Sequence, residues 1–176
     1  MKTNETLLFE QLILENREEF KLKVIEIAEK LGINPDWLML VFYIETAAVK
    51  FGVINHRIQN SIGATGLIQF LKSTAVSLGT TTDELKKMSN VKQLEYVYKY
   101  LRPYAGRMKS YQDVYLAVFF PAAIGKPDGW VLQSKTLSPE TIASQNQLYD
   151  LNRNGKITVG EIKQKILSFI PKGYSI

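Results

Sequence analysis

The sequence predicts an all-α single domain carrying a C-terminal helix–loop–helix annex. Three observations carry this. Apolar residues recur at three- and four-residue spacing along most of the chain. Helix-start and helix-stop residues stand at the edges of those stretches, with Gly32 after one and Asn34-Pro35-Asp36 before the next. The length, 176 residues with 45% apolar and 22% charged, is one domain's worth with a sizeable core.

The elements follow in order. Leu7 to Glu15 and Phe20 to Leu31 show helical spacing, as in Val24, Ile27, Ala28 and Leu31. Asn34, Pro35 and Asp36 read as cap, first helical position and acidic first turn. The helix they open, Trp37 to about Ala48, is apolar on nearly every side and belongs at the buried centre of the fold. Asn55 to Gly66 has no helical stripe and predicts a loop or short hairpin, one wall of any cleft near that helix. Helices are expected again over Leu67–Leu78, Thr82–Met88, Val91–Tyr100 and Tyr111–Phe119, the last ended by Pro121. A turn-rich connection from Gly125 to Ser138 leads to two short helices, Pro139–Asp150 and Thr158–Ile170, around one more loop. The expected division is 1–138 for the main domain and 139–176 for the annex, packed on the same domain.

Composition excludes several chemistries. There is no cysteine, so disulfides, thiolate metal sites and cysteine nucleophiles are out. His56 is the single histidine, which rules out multi-histidine metal sites. A net charge of +5 names no partner by itself. No apolar run approaches the ~18 residues of a membrane helix, so no membrane partner is expected; no nucleic acid is expected as partner either. The first residues do not form a secretory signal, because Glu5, Glu10, Glu15, Glu18 and Glu19 interrupt any apolar core.

Glu45 ends the most hydrophobic stretch in the chain, Leu38-Met39-Leu40-Val41-Phe42-Tyr43-Ile44-Glu45. Burial and a helix C-terminus both disfavour its charged form and raise its pKa, as a general acid near neutral pH requires. An acid that escapes to solvent at a helix end fits the position equally well. From Thr46 through Thr82 there is no Asp or Glu, so the nearby chain supplies no second carboxylate. Glycosidases of the two-carboxylate type place a partner ~5–10 Å away.

Gly63-Ala64-Thr65-Gly66-Leu67-Ile68-Gln69-Phe70, followed by Ser73-Thr74-Ala75, resembles the G-A-x-G-L-x-Q…T-A signature of the lytic transglycosylase (lysozyme-like) superfamily. Val41-Phe42-Tyr43-Ile44-Glu45-Thr46 stands before it at the distance of that family's glutamate in its I-x-x-E-S context. Two motifs thus agree in order and spacing, over roughly Phe20 to Tyr104. The resemblance implies a lysozyme-like fold, Glu45 as catalytic acid/base, and a sugar cleft walled by Gly63, Gly66 and Gln69, with Ser61 and Asn60 as weaker candidates. Glycines suit close approach of backbone to substrate, and Gln69 offers a donor and an acceptor to sugar groups. Thr46-Ala47-Ala48 departs from the family's S-x-F, keeping one hydroxyl. The family's later A-Y-N-x-G is replaced by Tyr115-Leu116-Ala117-Val118-Phe119-Phe120-Pro121, and Tyr115 is the candidate for its tyrosine. Tyr96 and Tyr100, four apart on one helix, are candidates to pack on sugar faces. His56-Arg57 is a small basic spot beside the expected cleft, suited either to peptidoglycan carboxylates or to a plain surface pair.

A separate motif spans Asp150 to Glu161 and matches the calcium loop D-x-[DN]-x-[DN]-G-x5-E in full. Asp150, Asn152 and Asn154 would offer side-chain oxygens and Lys156 its carbonyl. Thr158 would act directly or through water, and Glu161 would close the site with two oxygens. Calcium is expected there as a structural clip rather than a catalytic cofactor.

The sequence therefore predicts a monomeric enzyme acting on peptidoglycan glycan strands, at the β-1,4 bond between N-acetylmuramic acid and N-acetylglucosamine. A single glutamate would leave a 1,6-anhydromuramyl end. Two alternatives stand beside it: a goose-type lysozyme that activates water, and a non-catalytic, calcium-clipped module that binds glycan or builds a virion. With no signal segment, a phage-type route is expected, carried on a virion or released at lysis, to act on the cell wall.

Overall fold

Helix α1, Arg17–Leu31, turns Phe20, Val24, Ile27, Ala28 and Leu31 inward along one stripe. These positions come from a computed structural model that describes residues 6–48 and 52–175. Gly32 ends α1 at φ +68°, a left-handed C′ position that glycine takes without strain. Asn34 then caps α2, Pro35–Phe42, its side chain accepting from the Asp36 N–H at 2.9 Å. Leu38, Met39, Leu40, Val41 and Phe42 of α2 are all essentially inaccessible to solvent. Each contributes ~1.5–3 kcal/mol of apolar burial. The all-round apolar helix is thus the centre of the molecule, as its sequence predicts.

Around it stand α3 (Lys72–Ser77), α4 (Thr82–Lys87), α5 (Asn90–Leu101), α6 (Tyr111–Phe119), α7 (Pro139–Gln145) and α8 (Val159–Leu167). Helix α1 packs on α2 and α5, and α6 packs on α2 from another side. Ser89, Ser110 and Ser138 each cap a helix, and Thr81 with Glu84 forms a full capping box. Among the described residues there is no β-strand, only isolated bridges, so the chain is all-α. No described helix is long and apolar enough to cross a membrane.

Three expected helical stretches differ; over 139–150, α7 ends at Gln145 and only a 3₁₀ turn, Gln147–Tyr149, follows. Over 7–15 only a 3₁₀ turn forms, Glu10–Leu12, because Phe9 takes a left-handed φ of +61° and Ile13 bridges to Ile54. Leu7, Leu8, Phe9 and Ile13 still reach the core, so the apolar spacing is satisfied by a turn. Over 67–71 the chain stays irregular. Gly66 (φ +85°) and Gln69 (φ +51°) are both left-handed, and Thr65 and Phe70 exchange N–H···O bonds at 3.0 and 2.8 Å. This compact turn buries Leu67, Ile68 and Phe70, and helix begins only at Lys72.

The segment 139–175 shares the same hydrophobic core. Val159, Ile162 and Ile166 of α8 are fully buried. Val159 N–H donates to the Trp130 carbonyl at 3.0 Å and Leu132 N–H to the Ile157 carbonyl at 2.8 Å, tying the loop 150–161 to the preceding connection.

Candidate functional site

Helix α2 widens at its C-terminal end into a π turn over Tyr43–Ala47, and Glu45 is its middle residue. The wide turn is closed by Ala48 N–H donating to the Tyr43 carbonyl at 2.9 Å. An inserted residue of this kind re-aims a side chain and is frequent at functional sites. Thr46 fixes the turn: its hydroxyl donates to the Phe42 carbonyl at 2.7 Å and accepts from the Asn55 N–H at 3.3 Å. Tyr43 is clamped between the Phe9 ring, stacked at 4.0 Å, and the edge of Phe169.

Glu45 opens onto a cavity of about 390 Å³. One wall is the π turn, with Ile44 and Thr46. A second is the loop after it, with Ile58, Gln59, Asn60 and Gln69. The third joins Tyr115 and Phe119 of α6 to Asn146, Leu148, Tyr149 and Phe169 from the C-terminal segment. Glu45 is the one carboxyl among the described residues of this lining. Asp83 is not part of it, and Glu84 and Asp113 are engaged elsewhere, on the Thr81 N–H and the Lys109 N–H.

Burial pushes the Glu45 carboxyl up to about 7, and a hydrogen bond from Tyr115 pulls the other way. Burial also drives the Tyr115 hydroxyl well above its ordinary value, with the Glu45 carboxylate adding to the rise. A group at 7 holds its proton about half the time at neutral pH, which suits a residue that must first give a proton and later take one. The Tyr115 hydroxyl is itself bonded to the Tyr149 hydroxyl.

The structure brings Glu45, Gln69, Tyr115 and Asn60 to one cavity. Gln69 spends its amide N–H on the Gly66 carbonyl at 3.0 Å, and its left-handed backbone turns the side chain to the wall. Tyr100 stands one layer away, beside Gln69 in a small hollow of about 50 Å³. Its hydroxyl donates to the Ala117 carbonyl at 3.0 Å, and burial pushes it up to about 12. Ser61 lies exposed at the loop tip, and Gly63 (φ +82°) makes the tight turn below it, both off the cavity wall. Tyr96 is also off it, with Lys99 over its ring at 4.7 Å.

Gly66 has a reason for being glycine that differs from sugar approach. It is buried, and a Cβ there would lie 2.4 Å from Gln93 Oε1. The fully buried Gln93 amide accepts from the Leu67 N–H at 2.6 Å and donates to the His56 and Leu85 carbonyls, both at 2.9 Å. The glycine makes room for this bracket, which holds the cavity loop to α5. His56 is buried, with Nε2 3.1 Å from the Met88 carbonyl, and burial lowers its pKa. Arg57 pairs with Glu15 at 2.5 Å, so the basic spot is engaged internally.

The loop 150–161 has its expected turn, with Gly155 at φ +77° and Ile157 fully buried. Asp150 accepts from the Asn154 and Gly155 N–H groups at 3.1 and 2.9 Å. Asn152 and Asn154 accept from the N–H groups two residues on. Glu161 accepts from the Leu151 and Asn152 N–H groups with one oxygen and from Thr158 with the other, forming a capping box for α8. Two carboxylates and two amide oxygens within one tight loop are the hard-oxygen donor chemistry that suits Ca²⁺. Among the described residues no cluster of three or more Asp, Glu, His or Cys forms a metal-binding group.

Tyr149, Phe119, Asn146, Leu148 and Phe169 are cavity residues that sequence reasoning did not single out. Tyr149 directly precedes Asp150, so the calcium-loop motif marks its neighbourhood, but nothing local shows that it faces Glu45. The chain matches no protein-family model, no curated protein and no solved structure.

Proposed function

We propose that this chain is a peptidoglycan lytic transglycosylase with a lysozyme-like helical domain. One observation carries the reading: a single carboxyl, raised to about 7, faces a cavity whose described lining holds no second acid. A two-carboxylate glycosidase needs a base or nucleophile on the far side of the sugar. Among the described residues of the lining Glu45 has no such partner, which supports one group performing both proton transfers.

Glu45 in its acid form protonates the glycosidic oxygen as the bond to the muramyl C1 breaks. Its carboxylate then accepts the proton of the muramyl C6 hydroxyl, which closes on C1 to form the 1,6-anhydro ring. The Tyr115 hydroxyl donates to that carboxylate between the two steps, stabilising it. Gln69, Gln59 and Asn60 line the loop wall and supply amide groups for the acetamido and hydroxyl groups of the sugars. Phe119, Leu148 and Phe169 offer apolar surface to the sugar faces. The chain acts on the cell wall as a monomer, delivered by a phage-type route. Asp150, Asn152, Asn154, Lys156, Thr158 and Glu161 of the annex would hold a Ca²⁺, which would supply a structural clip and no chemistry.

The test is release of soluble fragments from purified cell walls by the wild type and Glu45→Gln. Loss of general acid–base catalysis costs ~10²–10⁴-fold. A variant that keeps more than about a tenth of the wild-type rate would remove Glu45 from this role, and a wild type without turnover would leave a glycan-binding or virion module.

A further inference from the structure

We propose that Tyr149 is a positioning residue for the acid/base centre: from the C-terminal segment, its hydroxyl holds the Tyr115 hydroxyl in place on Glu45. The inference rests on the reading of Glu45 as the acid/base. Tyr149 is a buried residue of the 3₁₀ turn Gln147–Tyr149, and its hydroxyl is hydrogen-bonded to that of Tyr115. Its ring packs on Phe119 at 4.9 Å and on Tyr115 at 6.2 Å. For packing alone a phenylalanine would serve, because a buried hydroxyl is costly unless bonded. The hydroxyl's placement is explained by its partner.

Proton counting gives the direction. A tyrosine hydroxyl has one hydrogen to donate. When Tyr115 gives its hydrogen to the Glu45 carboxylate, the bond between the tyrosines must run from Tyr149 to Tyr115. Donation into the Tyr115 oxygen makes Tyr115 a stronger donor, because successive hydrogen bonds polarise one another. Tyr149 thereby stabilises ionised Glu45 without touching it. Among the described residues, the titratable groups that face Glu45 are Tyr115 from α6 and Tyr149 from the C-terminal segment, with Tyr100 from α5 one layer behind but still within reach of its charge.

The backbone around Tyr149 is held on both sides. Its N–H donates to the Asn146 carbonyl at 2.9 Å, and Glu161 accepts from the amides of Leu151 and Asn152 just beyond it. The helix–loop–helix thus delivers a side chain that completes the site, rather than only covering the main domain.

The experiment is a ¹³C NMR titration of the Glu45 carboxyl in the full chain, assigned with Glu45→Gln. It compares wild type, Tyr149→Phe, Tyr115→Phe and the double variant. Losing a donor to the charged form raises the carboxyl's midpoint, so Tyr149→Phe should titrate about half a pH unit or more above wild type. Tyr115→Phe should shift at least as far, and the double variant should match Tyr115→Phe, because Tyr149 acts through Tyr115. In wall digestion, kcat of Tyr149→Phe should fall several-fold with KM unchanged. An unmoved midpoint in a folded Tyr149→Phe protein would overturn the inference, as would a double variant in which the two shifts simply add. The titration needs no substrate. An inactive wild type showing these shifts would refute the enzymatic reading and keep the coupling, and an active one without them would refute the coupling alone.

Discussion

Glu45→Gln should make the protein more stable at alkaline pH while it removes catalysis. The carboxyl stands at about 7 instead of the ordinary 4.5 because the fold buries it. Below about pH 4.5 Glu45 is protonated in both folded and unfolded chains and costs nothing by this route. As pH rises, the unfolded chain releases its proton first, and native stability falls until the folded group has ionised near 7. At ~1.36 kcal/mol for each pH unit between those values, the full cost above pH 7 is about 3 kcal/mol. Glutamine keeps nearly the same shape without the charge and escapes this cost. It also keeps an oxygen for the Tyr115 hydroxyl, so the polar contact need not be lost. The assay is denaturant unfolding of both proteins at pH 5 and pH 8. The advantage of the variant should be larger at pH 8 by about 2–3 kcal/mol, a large part of a typical domain's stability. A difference that does not change with pH would refute the claim that burial has raised this carboxyl.

Two further outcomes follow from the surroundings of the site. Gly66→Ala should cost about 3 kcal/mol or more, because a left-handed alanine costs ~1–2 kcal/mol and the three hydrogen bonds of Gln93 contribute ~0.5–1.5 each. Gln93 ends a flexible side chain, but its three buried partners keep it from moving aside cheaply. Urea unfolding checks this, and a loss under about 1 kcal/mol would mean that Gln93 relaxes. Millimolar Ca²⁺ should raise the Tm over chelator by the amount RT ln(1 + [L]/Kd) allows, and Asp150→Ala should remove the increase. Identical melting curves would leave the loop 150–161 as a turn without an ion.

What was legible in the sequence was local. Asn34-Pro35-Asp36 forms its cap because the cap bond spans two residues, and Gly32 ends α1 for a similarly short-range reason. The setting of Glu45 was only half legible, because the end of an all-apolar helix allows either burial or escape to solvent, and the side chains of α6 and the C-terminal segment that enclose it lie far along the chain. Residues 67–71 were misread as helix because apolar spacing cannot show that Gly66 and Gln69 turn left-handed to meet Ile58 and Gln93. The same long-range contact hid the reason for Gly66. Tyr149 was invisible for a different cause: its partner lies 34 residues earlier, and no periodicity links a C-terminal 3₁₀ turn to α6. The π turn that aims Glu45 has no local mark, since Tyr43–Ala47 continues the pattern of the helix before it.

The central claim is that one carboxyl performs both proton transfers, the second of them from the muramyl C6 hydroxyl. Mass spectrometry of purified cell-wall digests tests it most directly, because an anhydromuramyl end and a reducing end differ by one water. A single glutamate, with no second acid among the described residues of the cavity, predicts anhydromuramyl ends that take up no oxygen from ¹⁸O-labelled water. Reducing ends labelled with ¹⁸O from the first turnovers would contradict it and show that water, not the C6 hydroxyl, attacks the sugar.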